Sequence, residues 1–116
     1  MGIEEKVRRI VDRNYWLSGR ADFEDGDPFA GLELREAMLK VEEVDDLEKL
    51  YRLLRNYDGA FKYKNLIFFN SWKYGCFVYD LNRPDTYVEH LSIDVISLPR
   101  FREIVERLKG MDYAYA

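Results

Sequence analysis

The chain has no glutamine, one cysteine (Cys76), one histidine (His90), one threonine (Thr86) and three prolines in 116 residues. A lone cysteine excludes an intrachain disulfide and any multi-cysteine metal site, and its apolar neighbours suggest a small buried hydrophobe. His90 has no histidine or cysteine at ligand spacing, so no metal centre is expected. No apolar run approaches the roughly 20 residues that span a bilayer. The start, Met1-Gly2-Ile3-Glu4-Glu5-Lys6, lacks the basic-then-apolar pattern of a signal peptide. The expectation is a soluble, cytoplasmic protein with no membrane partner.

Catalytic patterns are equally scarce. There is no phosphate-cradling or dinucleotide-binding glycine motif. Asp22-Phe23-Glu24-Asp25-Gly26-Asp27 fails the spacing of a calcium loop, which needs acids at alternate positions before the glycine and a glutamate later. Pro84-Asp85 followed by Glu89-His90 carries Leu91 where a metal-nuclease core needs a lysine. A Cys76–His90 nucleophile pair would require a low-pKa thiol, which an apolar strand disfavours. Neither an enzyme nor a cofactor is expected.

What the chain does have is apolar and aromatic residues, 47% and 16% of the total, enough for one domain to bury a core unaided. A net charge of -4 argues against a surface that attracts nucleic acid everywhere, so any such binding needs a local basic patch. Charge is uneven: acids gather at Asp22 to Asp27 and Glu42 to Glu48, leaving the stretch Phe61 to Tyr79 locally basic.

Ile3, Val7, Ile10 and Val11 predict an amphipathic helix over 3–13, with Glu4/Arg8 and Glu5/Arg9 as outer pairs. Asn14 to Pro28 reads as a long aromatic loop, in which Tyr15, Trp16 and Arg20 are candidates for function or for plugging the core edge. Asp27-Pro28 starts a helix expected over 29–42, with a strand from Ala37 to Val44 as the competing reading. Asp45-Asp46 caps a helix over 46–56. Strands are expected at 61–70, 74–81 and 86–96, then a helix over 98–109 announced by Ser97-Leu98-Pro99, and a tail at 111–116. Together these make a single α+β domain, a three- or four-stranded antiparallel meander packed on amphipathic helices mainly on one side.

If both strand connections are four-residue loops, Ile67 faces Cys76 and Phe69 faces Tyr74. One sheet face then holds Ile67, Phe69, Cys76, Val78, Leu91, Ile93 and Val95. The other holds Lys62, Lys64, Leu66, Phe68, Phe77, Tyr79, Val88 and His90, too aromatic for a plain solvent face. Rings beside cations are what single-strand binders use, stacking bases and holding phosphates. The expected nucleic-acid-binding residues are Tyr15, Trp16, Arg20, Phe61, Lys62, Tyr63, Lys64, Phe68, Trp72, Lys73, Tyr74, Phe77 and Tyr79. Two alternatives stand beside this: helices cover that face too, with the lysines snorkelling at its rim, or the face is a homo-oligomer interface.

The absence of glutamine and the plentiful arginine match heat-adapted composition. With the N-terminal helix, the Tyr15, Trp16, Arg20 loop and the Phe61, Lys62, Tyr63, Lys64, Trp72, Lys73, Tyr74 hairpin, the chain resembles the ThermoDBP-type single-stranded DNA-binding domains of thermophilic archaea. The resemblance implies a small antiparallel sheet with helices and an aromatic cleft with basic edges that binds single-stranded DNA in preference to RNA. No heptads follow Gly110, where some members of that family carry a leucine zipper. The alternative function is a protein-interaction or homo-oligomeric module, such as a viral or host-defence factor, using the same rings.

Overall fold

In the computed structural model, which describes residues 2–110, five strands lie between two layers of helices. Helix α1 (Ile3–Arg13) buries Val7, Ile10 and Val11. The segment expected to be all loop contains a short helix, α2 (Arg20–Glu24). Helix α3 (Pro28–Leu39) begins at the expected signal: the Asp27 carboxylate accepts from the Ala30 N–H at 3.2 Å and Pro28 occupies the first turn. It ends three residues before the expected 42, because Val41–Glu43 form strand β1. Helix α4 (Leu47–Asn56) is capped by Asp46, and α5 (Leu98–Lys109) by Ser97 with Pro99 in its first turn. The tail expected at 111–116 lies outside the described residues.

The largest correction concerns the strand expected at 61–70. It is two strands, β2 (Gly59–Tyr63) and β3 (Leu66–Ser71), joined by a two-residue turn at Lys64-Asn65. Lys64 takes φ 57°, the left-handed region that hairpin turns demand, without the glycine that would announce it. Strand β4 (Gly75–Asp80) follows a three-residue connection rather than four, and Gly75 at φ 96° closes it. Strand β5 is only Glu89–Leu91, not 86–96.

The sheet order is β1-β2-β3-β4-β5; β2 to β5 run antiparallel in sequence order and β1 pairs parallel with β2. The expected three- or four-stranded meander is therefore a five-stranded mixed sheet in an α+β domain.

The shorter connection shifts the register. Ile67 pairs with Tyr79, Phe69 with Phe77 and Asn70 with Cys76, while Cys76 still pairs with Leu91. The slip is three residues, from Cys76 to Tyr79 opposite Ile67, and because side chains alternate an odd slip exchanges the faces. Phe61, Tyr63, Leu66, Phe68, Cys76, Val78 and Leu91 pack under α4 and α5. Ala60, Ile67, Phe69, Phe77 and Tyr79 pack under α1 and Met38 of α3. All six residues of β3 are buried, so helices cover both faces and no broad aromatic face is open. Burial alone pushes the Cys76 thiol well above its usual range, leaving it protonated and inert.

Candidate nucleic-acid interface

One group of rings does reach solvent, where the turn after α1 crosses β4. Asn14 ends α1: its side-chain N–H donates to the Ile10 carbonyl at 2.5 Å, and its Oδ1 accepts from the Tyr79 hydroxyl at 2.5 Å. The next turn is held by the Ser18 hydroxyl on the Tyr15 carbonyl, by the Gly19 N–H on the Trp16 carbonyl, and by buried Leu17. Gly19 has φ 82° and lies so close to α3 that a Cβ there would stand 2.1 Å from the Gly31 carbonyl oxygen. The segment is thus anchored along its length, and Trp16 projects from it, 41% exposed.

Trp16 lies nearly parallel to Phe77, at 12° with centroids 6.5 Å apart, and 6.1 Å from Tyr74. Phe77 in turn is stacked on His90, its cross-strand partner, at 4.3 Å and 10°. Tyr87 stands edge-on to Phe77, and Tyr15 edge-on to Trp16. The result is a run of three near-parallel rings whose outer members, Trp16 and His90, face solvent. Gly75 makes the arrangement possible: a Cβ there would be 2.4 Å from His90 Nε2, which instead donates to the Tyr74 carbonyl at 3.2 Å.

The charge around the rings is mixed. Lys73 donates to buried Asp22 at 2.5 Å, and the Tyr74 hydroxyl donates to the same oxygen at 3.0 Å. The hydrogen bond to Asp22 raises the Lys73 pKa, so this cation stays protonated but is already neutralised by its partner. Desolvation raises the Tyr74 phenol, and hydrogen bonding to Glu24 raises that of Tyr15. The Arg20 guanidinium lies over the Tyr15 ring at 5.8 Å, and Arg13 pairs with exposed Asp85 at 3.0 Å.

The expected residues thus divide. Tyr15, Trp16, Arg20, Lys73, Tyr74 and Phe77 come together. Phe61, Tyr63, Phe68 and Tyr79 are core, at most 7% exposed, and their covering helices leave no ring face for a ligand; Phe77, at 8%, is also buried and backs the cluster from the core. Burial pushes the Tyr79 hydroxyl up to about 12. Lys62 and Lys64 lie toward the β2–β3 turn, Lys64 over its own neighbour Tyr63, away from the stacked rings. Trp72 is 86% exposed on the β3–β4 turn. Tyr87 and His90 join the cluster from outside the expected binding residues, although His90 was placed on the same sheet face. His90 had a signal, its alternation on the face of Phe77; Tyr87, in irregular chain before β5, had none.

These features define a class no narrower than an α+β domain with a preorganised, partly exposed ring cluster. No protein-family model, curated protein or solved structure matches the chain. Among the described residues there is no group of three or more histidine, cysteine or acidic side chains able to hold a metal ion, and no helix long and apolar enough to cross a membrane.

Proposed function

We propose that this protein binds single-stranded nucleic acid, DNA in preference to RNA, by laying bases on the open rings around Trp16. The observation that carries the reading is the Trp16–Phe77–His90 stack, an exposed indole backed by rings already parallel to it. A base on such a platform gains on the order of 1–3 kcal/mol, whichever base it is, because every base has a π-face. Arg20, over the Tyr15 ring at the rim, supplies a phosphate contact. The resemblance to ThermoDBP-type domains points the same way. The binding site is thus smaller than a whole sheet face, and no catalysis accompanies it.

Anisotropy titration of a labelled oligothymidine, beside a duplex and an oligouridine of equal length, tests this. Binding that prefers the single DNA strand supports it. No binding at tens of micromolar contradicts it.

A second reading is a homo-oligomeric or protein-interaction module. Its support is a separate strip on α2 and α3, where Phe23, Phe29 and Leu32 are 46%, 76% and 48% exposed. Phe29→Asp with Leu32→Asp would then lower the mass measured by light scattering, and an unchanged mass would leave no role for self-association through this strip.

A further inference from the structure

Across Gly75 from the ring stack lies a groove of about 600 Å³, walled by the end of α4, the β3–β4 turn and the chain following β5. That volume is within the roughly 300–1,000 Å³ typical of small-ligand sites. Its walls are fixed. The Asn70 amide donates to the Leu54 and Tyr57 carbonyls at 2.6 and 2.8 Å, tying α4 to β3. Asp58 accepts from the Trp72 N–H at 3.1 Å, holding the turn that carries the indole. Trp72 nevertheless leaves 86% of its surface in solvent at the rim, and Tyr57 63%.

Tyr74 and His90 line this groove as well as belonging to the ring cluster. These two residues link the groove to the ring cluster, with the Nε2 corner of the His90 ring directed at Gly75. Asp58 and Asp94 in the groove wall disfavour a phosphate there, whereas the flat face of a base suits Trp72. Arg55, at the groove edge, is turned onto Tyr51, donating to its hydroxyl at 2.7 Å.

We propose that the groove is a second base-binding position on the path of the same single DNA strand. A strand resting on Trp16 crosses the β3–β4 turn at Gly75 and sets a further base against Trp72. This rests on reading the Trp16 cluster as a base-stacking site.

The two tryptophans, the only ones in the chain, make the test direct, since each reports one position. Trp72→Phe leaves Trp16 as the sole indole, and Trp16→Phe leaves Trp72; phenylalanine keeps a ring at either place. Both proteins are titrated with a thymidine dinucleotide and an octamer while tryptophan fluorescence is followed. The expected result is that the octamer quenches both indoles at matching midpoints. Trp72→Ala then weakens octamer binding by about tenfold or more and leaves dinucleotide binding within about twofold. If the octamer quenches Trp16 but leaves Trp72 unchanged at saturation, the second position is wrong while the stacking site stands. If neither indole responds and a labelled octamer shows no anisotropy change, the stacking site fails and the groove proposal with it.

Discussion

Asn70, 4% exposed on β3, uses both amide hydrogens on the carbonyls that α4 leaves open at its end. Asn70→Ala strands two buried acceptors, so urea unfolding should show a loss of about 1–3 kcal/mol. An unchanged midpoint would mean water replaces the amide. Tyr79 acts on the same scale through its proton. Its hydroxyl ordinarily ionises near 10 but near 12 when folded, so between those values the folded state holds the proton and the unfolded state loses it. Stability therefore falls as pH rises from 10 to 12. Tyr79→Phe should remove that part of the alkaline loss in thermal melts, while costing about 1 kcal/mol at neutral pH for the hydrogen bond to Asn14. A parallel fall in both proteins would place the alkaline transition elsewhere. Gly75 is constrained twice, by φ 96° and by the His90 ring. No side chain fits there without displacing that ring from Phe77.

At the scale of elements, the β3–β4 turn is held by α2 through Asp22, which takes both Lys73 and Tyr74. Asp22→Asn keeps an acceptor for the tyrosine and removes the closer of the two carboxylates at Lys73, leaving Asp25 at 4.0 Å. Lys73 then becomes available to a phosphate, and the salt dependence of DNA binding should steepen by about 0.7 in log–log slope. An unaltered slope would show that Lys73 does not reach the strand. Helix starts were legible because their signals are local: Asp27 before Pro28, Asp46, and Ser97 before Pro99 each sit where a side-chain oxygen meets an orphan N–H. The turn at Lys64-Asn65 was not, because tertiary pairing forces a lysine into a backbone region that sequence associates with glycine. The parallel pairing of Val41 with Ala60 joins segments separated by α4, and nothing in the local pattern encodes it.

For the whole molecule, the informative feature was the run Leu66-Ile67-Phe68-Phe69. A sheet with one wet face alternates, whereas a continuous apolar run belongs to a strand covered on both sides. That run fits the two helical layers, and it explains why Phe61, Tyr63, Phe68 and Tyr79, expected at the surface, are core. Trp16 was legible as a candidate because an indole in a Gly- and Asp-rich segment lacks the periodicity of a core residue. Its partner rings depend on a register that a three-residue connection decided. With a net charge of -4 and Lys73 already paired, few cations remain for phosphates. The salt slope for single-stranded DNA should be shallow, about -0.7 to -1.4 for one or two contacts. A much steeper slope would require a basic surface elsewhere on the molecule. The most direct measurement sets wild type beside Trp16→Ala in anisotropy titrations with oligothymidine, with thermal melts of both. The stacking account predicts binding weakened by about 1–3 kcal/mol, about five- to more than a hundredfold, at nearly unchanged melting temperature. Equal affinity of the two folded proteins would contradict it.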